Sequence, residues 1–157
     1  MPPDIKLPDE KATLQLGGRL AAGVAPGRVL HLRGGLGSGK TTLVRGLLRA
    51  LGQSGRVKSP TYGLVELYSV SSLNLYHFDF YRFKDQAEWL SSGFRDYFNP
   101  DSVCIVEWPE RAGELLSPPD VEVRLEFDGA ARRAFLKANS ESGRAWLSSA
   151  SLPASSS

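Results

Sequence analysis

The stretch Gly34-Gly35-Leu36-Gly37-Ser38-Gly39-Lys40-Thr41-Thr42 decides the fold class of this 157-residue chain. It matches G-x-x-x-x-G-K-[ST], the Walker A pattern of phosphate-binding loops. The apolar run Val29 to Leu32 precedes the loop and predicts a buried strand. Apolar residues from Leu43 to Leu51 follow it with helical spacing, and Gly52 is typical of a helix end. Strand, glycine-rich loop and helix in this order form the context that a phosphate loop requires.

The residue types of this loop fit the binding of a nucleoside triphosphate. Glycines allow the backbone to curl, so that N–H groups of Gly37 to Thr42 point at phosphate oxygens. The loop opens a helix, and the positive end of the helix dipole favours the same anion. We expect Lys40 to reach the β- and γ-phosphates and the hydroxyl of Thr41 to contact Mg²⁺. No N-K-x-D motif for reading guanine is present, which favours ATP over GTP.

Two acidic residues at strand ends are candidates for the metal partner that such a site needs. Glu107 follows the apolar run Val103 to Val106, which is the Walker B form, and Asp79 follows a strand of mixed character. Either acid can hold Mg²⁺ while the other orients water, and the spacing does not decide between them. His77 alternates with apolar residues, and we assign it a structural role.

Trp108 directly follows Glu107, and Pro109 stiffens the turn after it. A tryptophan at this position is either part of the core or a nucleotide sensor at the edge of the site. The sequence leaves both interpretations open.

The remaining elements predict an α/β fold in one domain. Asp9 is a helix N-cap candidate, and the helix is expected to run to about Val24. Strands that alternate with helices early in the chain, followed by a late hairpin, predict an α/β sheet with antiparallel strands added. The domain is expected to span residues 1–147, with a flexible Ser-rich tail over 148–157. The other predicted strands are Leu64–Val70, Leu73–Asp79, Val121–Phe127 and Ala134–Ala138.

Composition excludes several classes of protein. The chain is 41% hydrophobic and 23% charged, as in ordinary globular domains. Its net charge of +2 is too small to argue for direct binding to nucleic acid or membranes. The single cysteine, Cys104, cannot form an internal disulfide, and no apolar run is long enough to span a membrane. The N-terminus lacks the apolar core of a signal peptide, so we expect a cytoplasmic protein.

Five blocks of the chain resemble the TsaE (YjeE) family, bacterial P-loop ATPases of tRNA threonylcarbamoyladenosine biosynthesis. The resemblance covers about Leu7 to Ala138, and the combination of the later blocks is much more specific than the phosphate loop alone. The blocks, in order, are LPDEKATLQLG, GGLGSGKTT, VKSPTYGLVELY, YHFDFYR and VCIVEWPE.

The resemblance implies a three-layer, P-loop NTPase-like α/β fold with a mixed, mainly parallel sheet and late antiparallel strands. It also implies ATP or ADP and Mg²⁺ at Gly37 to Thr42, with the metal near Thr41 and Glu107. It further implies that Asp79 is needed for activity. Two departures from the family pattern occur: Gly35 stands where the family usually has Asp, and Ala131 stands where it has Gly before the arginine. By resemblance, three more residues approach the nucleotide: Thr61 in a switch-like loop, Thr13 in the first helix and Arg132 in the late hairpin.

The resemblance also implies the partners. The subunit would work beside the TsaB–TsaD pair, which transfers the threonylcarbamoyl group to tRNA, and ATP hydrolysis would reset the complex between turnovers. Contact with tRNA would be indirect. The alternatives are a small-molecule kinase and a non-catalytic nucleotide-dependent module. A kinase usually clamps its acceptor with several arginines, and the stretch Arg82 to Arg95, the only space for such a lid, holds two.

Overall fold

The computed structural model describes residues 4–58, 60, 64–153 and 155–156. This part of the chain folds into one mixed sheet with helices on both faces. The strands are β1 (Asp4–Leu7), β2 (Val29–Gly34), β3 (Val65–Val70), β4 (Leu73–Asp79), β5 (Ser102–Glu107), β6 (Val121–Asp128), β7 (Ala131–Ala138) and β8 (Ser155–Ser156). The α-helices are α1 (Glu10–Leu20), α2 (Lys40–Ala50), α3 (Gln86–Ser92) and α4 (Glu141–Ser149).

The sheet is parallel at its centre and antiparallel at its edges. Its strand order is β1-β7-β6-β2-β5-β4-β3, and β8 pairs with β7 outside this path. Strands β6, β2, β5 and β4 are parallel neighbours, whereas β3 and β4 form an antiparallel hairpin, as do β6 and β7. This arrangement confirms the expected mixed α/β sheet with late antiparallel strands.

Helices α1 and α2 cover one face of the sheet and approach each other very closely. A Cβ atom at Gly17 would lie 2.1 Å from the carbonyl oxygen of Leu43, and one at Gly46 would lie 2.2 Å from that of Leu14. Glycine is therefore the residue that lets the two backbones meet. The core between these helices and the sheet includes Leu16, Leu20, Leu30, Leu32, Leu43, Leu47, Val103 and Ile105.

An aromatic cluster covers the opposite face and completes the third layer. Alternation along a strand sends successive side chains to opposite faces, so Cys104 and Val106 join this cluster while their neighbours Val103 and Ile105 join the helical core. The cluster gathers residues from β4, α3 and the turns around them: Phe78, Phe80, Phe83, Trp89 and Phe94. The three-layer fold is thereby confirmed.

Strand β1 and helix α4 are not anticipated from the sequence. The Trp146 indole of α4 is fully buried and donates a hydrogen bond to the carbonyl of Leu20 at 2.8 Å. The domain boundary expected after Leu147 falls inside α4, and Leu152 is buried as well. The packed region therefore reaches further than we expect from the sequence. Among the helices of the described residues, none combines the length and apolar character needed to cross a bilayer.

Candidate functional site

The glycine-rich loop connects the end of β2 to the start of α2. Gly39 precedes the first helical residue with φ of 107°, in the region that favours glycine, and Gly37 has φ of 78°. The Ser38 N–H donates to the carbonyl of Gly35 at 3.1 Å, which curls the loop. The backbone thus takes the wound form that the sequence predicts for a phosphate-binding loop.

Lys40 lies buried across the loop that precedes it. Its Nζ donates to the carbonyl oxygens of Gly34 at 2.6 Å and Gly35 at 2.9 Å, and it also lies 4.2 Å from the ring centroid of Trp108. Burial lowers the pKa of Lys40, and the neighbouring carboxylate of Glu107 opposes that shift. The ammonium group is therefore held between the backbone at the start of the loop and the Trp108 ring.

Thr41 and Glu107 meet at the inner end of the site. The Thr41 hydroxyl donates to the Glu107 carboxylate, with Oγ1 at 2.9 Å from Oε2 and 3.1 Å from Oε1. Glu107 ends β5 and is 3% exposed, so this contact joins a buried acid to the first turn of α2. The two residues that the family resemblance places near the metal are thus in direct contact.

Asp79 ends the neighbouring strand and lies in register with Glu107. Its Oδ1 accepts a hydrogen bond from the Tyr81 N–H at 3.0 Å. Burial raises the pKa of Asp79; the Tyr81 hydrogen bond opposes this shift, while the nearby Glu107 charge adds to it. The two acids that the sequence could not rank therefore lie side by side, but Glu107 is the one that holds Thr41.

A cleft of about 300 Å³ opens in front of these groups. Trp108 forms one wall, in a left-handed backbone conformation with φ of 56°. Its ring is 4.9 Å from that of Tyr81 and 5.6 Å from the Arg111 guanidinium. Trp108 packs against the aromatic core, and its ring also faces Lys40 at the cleft. The residue therefore belongs to the core and to the edge of the site at once. The lining residues are Leu36, Gly37, Ser38, Gly39, Lys40, Thr41, Thr42, Asp79, Tyr81, Glu107 and Trp108.

A second cleft lies on the other side of the loop and contains Thr13 and Arg132. Arg132 donates to the carbonyl of Gly37 at 3.2 Å and stacks 4.4 Å from the Phe127 ring centroid. Because Thr42 and Gly37 to Gly39 line both clefts, the loop lies between them. The structure thus brings every predicted site residue to this region except Thr61, which lies outside the described residues.

The donor set fits Mg²⁺ bound together with phosphate. Thr41 donates its hydroxyl proton to Glu107, so the hydroxyl and the carboxylate present oxygen atoms side by side. Hydroxyl and carboxylate oxygens are hard ligands, and Mg²⁺ bound to a nucleotide usually takes one or two protein ligands with water and phosphate. No group of three acids, histidines or cysteines forms a metal cage in the described part of the chain. Such a cage is not required for a nucleotide-bound cation.

The contact between His77 and Glu107 is not predicted from the sequence. Its Nε2 lies 2.6 Å from Glu107 Oε2, and both side chains are buried. The H-x-D spacing puts His77 on the same strand face as Asp79 and is the one signal in the sequence for a role at the site. A single histidine among apolar residues is usually structural, so this signal is weak.

The parallel sheet, the loop between β2 and α2, and the acid at the end of β5 define a fold of the P-loop NTPase type. A family model described as "Threonylcarbamoyl adenosine biosynthesis protein TsaE" matches residues 7–135. The chain belongs to the TsaE family, whose members act in tRNA threonylcarbamoyladenosine biosynthesis.

Individual relatives agree with the family match. The TsaE protein of Haemophilus influenzae is 41% identical over 143 residues, which cover 88% of this chain and 90% of that protein. The TsaE protein of Bacillus subtilis is 39% identical over 109 residues, covering 69% of this chain and 68% of the relative. The crystal structure of Bacillus subtilis YdiB superposes with a TM-score of 0.78 at 28% identity, with 96% of each chain covered.

Proposed function

We propose that this chain is the ATP-binding and ATP-hydrolysing subunit of the threonylcarbamoyladenosine system, acting with the TsaB–TsaD pair in the cytoplasm. The observation that carries the proposal is the contact of Thr41 with Glu107 beside Lys40. A hydroxyl, a carboxylate and an ammonium group at the mouth of a glycine-rich loop match the needs of a Mg²⁺-bound triphosphate. Family membership supports the pathway.

Each residue of the cleft has a definite task in this proposal. Backbone N–H groups of Gly37 to Thr42 bind phosphate oxygens, and Lys40 exchanges the carbonyls of Gly34 and Gly35 for the β- and γ-phosphates. Thr41 and Glu107 hold Mg²⁺, which when bound neutralises phosphate charge and supports departure of the leaving group. Asp79, whose Oδ1 accepts from the Tyr81 N–H and which lies beside Glu107 at the cleft, orients the attacking water.

The kinase alternative receives no support from the clefts. Among the described residues that line the phosphate cleft, Lys40 is the one cation. Arg95 lines a separate groove beside Trp89 and Leu116, away from the loop. No described residue of the stretch Arg82 to Arg95 therefore lines the phosphate cleft, where a kinase would clamp its acceptor.

Hydrolysis would act as a reset between rounds of modification. Loss of the γ-phosphate removes the group that Lys40 and the neighbouring loops hold, and such contacts order switch segments in P-loop proteins. We expect the TsaB–TsaD pair to bind the ordered form, with tRNA contacted through the complex.

ATP turnover, measured alone and then with the TsaB–TsaD pair and tRNA, tests this function. We expect slow turnover by the isolated subunit and faster turnover in the complete mixture. Absence of ATP hydrolysis in both mixtures would contradict the ATPase assignment, and phosphate transfer to a small-molecule acceptor would establish the kinase instead.

A further inference from the structure

We propose that His77 is a positioning residue that holds the carboxylate of Glu107 in the orientation required to bind the divalent cation of the nucleotide complex. The inference rests on the proposed function, because it concerns the cation that arrives with the nucleotide. It concerns a contact made inside the protein, behind the cleft that the nucleotide would occupy.

The contact between the two residues is short and fully enclosed. His77 Nε2 and Glu107 Oε2 are 2.6 Å apart, and the side chains are 0% and 3% exposed. A buried carboxylate accepts hydrogen bonds, so the imidazole donates its Nε2–H. Removing this donor would leave a buried acceptor short of a partner, which costs free energy and releases the side chain to move.

The two donors to Glu107 divide its oxygens unequally. Oε2 accepts from His77 at 2.6 Å and from Thr41 at 2.9 Å, whereas Oε1 accepts from Thr41 at the longer distance of 3.1 Å. A carboxylate oxygen has two lone pairs, so Oε1 retains the greater capacity for a cation. His77 therefore holds Oε2 and leaves Oε1 as the oxygen of Glu107 that is presented to the cation.

The sheet explains why this histidine reaches the acid. His77 is in register with Ile105, and Asp79 is in register with Glu107, so His77 reaches Glu107 diagonally across β4 and β5. Hydrogen bonds behind a ligand fix its orientation and commonly change metal affinity when they are removed.

His31 provides a matched control. It is the only other histidine of the sequence, and it is 4% exposed in the central strand β2. Leu30 and Leu32 belong to the helical core, so alternation places His31 on the opposite face from His77. Its Nε2 has no hydrogen-bond partner among the residues that the structure describes.

The test is a Mn²⁺ titration of the full chain with ADP, followed by electron paramagnetic resonance. We expect His77→Leu and His77→Asn to weaken Mn²⁺ binding to the protein–ADP complex by about 10- to 100-fold. His77→Gln should retain most of the affinity, because its amide N–H reaches the position of Nε2 whereas that of asparagine does not. His31→Leu should bind Mn²⁺ like the wild type, and metal-free ADP affinity should be unchanged in all variants.

The outcomes separate this inference from the proposed function. Wild-type Mn²⁺ affinity in folded His77→Leu, or equal affinity in His77→Asn and His77→Gln, would overturn the positioning role alone. A wild-type protein that binds neither ADP nor Mn²⁺–ADP would overturn the proposed function and this inference with it.

A measurement on the unmodified protein covers the case in which the variants do not fold. With two histidines in the chain, the imidazole proton spectrum is simple to assign. Adding Mg²⁺ to the ADP complex should shift the Nε2–H resonance of His77 and leave the ring signals of His31 unchanged. An unshifted His77 resonance in an ADP complex that binds Mg²⁺ would contradict the proposal.

Discussion

The hydroxyl of Thr41 lies 2.9 Å from Oε2 of Glu107 and so connects the first turn of α2 to the last residue of β5. These residues are far apart in the sequence, and the parallel pairing of β2 with β5 brings them together. The contact places a cation-binding hydroxyl and carboxylate at one edge of the sheet, beside the ammonium group of Lys40. The proposed chemistry depends on this arrangement.

Lys40→Ala should weaken nucleotide binding. The charge-assisted contacts with phosphate are worth about 1.5–3 kcal/mol, which corresponds to a loss of roughly 10- to 100-fold in affinity. Isothermal titration calorimetry with ADP and Mg²⁺ measures the change. Lys84→Ala, which removes an exposed lysine outside the cleft, is the control and should bind as the wild type does. Equal affinity in a folded Lys40→Ala protein would refute the assignment of the loop.

Glu107→Gln and Asp79→Asn should each reduce ATP hydrolysis by about 10²-fold or more while leaving the protein folded. Amides keep the size of the side chains but lose the charge that a metal–phosphate centre uses. The measurements are turnover and melting temperature, with Asp101→Asn, an exposed acid away from the cleft, as the control. If hydrolysis survives both changes, the catalytic centre lies elsewhere.

Acid should destabilise the protein through His31. Burial, with a smaller effect from Arg33, lowers the pKa of His31 from 6.5 to about 4. Between these values the unfolded chain binds a proton that the folded chain does not, so stability falls as pH decreases through this window. The full shift is worth about 3 kcal/mol. Urea unfolding at pH 7 and pH 4 should show a smaller acid loss for His31→Leu than for the wild type. Equal losses of unfolding free energy between pH 7 and pH 4 in the two proteins would show that His31 does not titrate in this way.

Alanine substitutions at two neighbouring glycines of α1 should change the stability of the fold in opposite directions. A Cβ at Gly17 would lie 2.1 Å from the Leu43 carbonyl oxygen, whereas the nearest atom to one at Gly18 is 3.9 Å away. Gly17→Ala should therefore separate α1 from α2 and destabilise the fold by about 1–3 kcal/mol. Gly18→Ala should stabilise it by about 0.5–1 kcal/mol through helix propensity. Thermal unfolding of both variants measures the contrast; equal effects would mean that the helices do not pack this closely.

Local sequence patterns predicted the elements with strong periodicity or distinct turn residues. Strands β2, β4 and β5, helix α2 and the β3–β4 hairpin lie close to their expected positions. The turn residues Ser71 and Ser72 both have positive φ, as a tight hairpin requires. Strand β1 was missed because it is a four-residue edge strand with a single buried side chain, Leu7. Helix α4 was missed because its Ser-rich composition hides Trp146 and Leu147, which tertiary packing buries.

Contacts across the sheet were less accessible from the sequence. The sequence placed Asp79 and Glu107 at strand ends, but only the pairing of β4 with β5 shows them side by side. The register of β4 and β5 also brings His77 to Glu107. His31 in β2 lies on the opposite face of the sheet and cannot make this contact. Such relationships come from long-range pairing, which no local pattern encodes.

The central claim is that this chain is an ATPase subunit that permits repeated rounds of tRNA modification. A reconstitution of the TsaB–TsaD pair with threonylcarbamoyl-adenylate, ATP and tRNA tests it most directly, with modified tRNA counted per complex. The wild-type chain should sustain multiple rounds, whereas Lys40→Ala and Glu107→Gln should stop near a single round. Equal multi-round modification with and without this chain would contradict the claim.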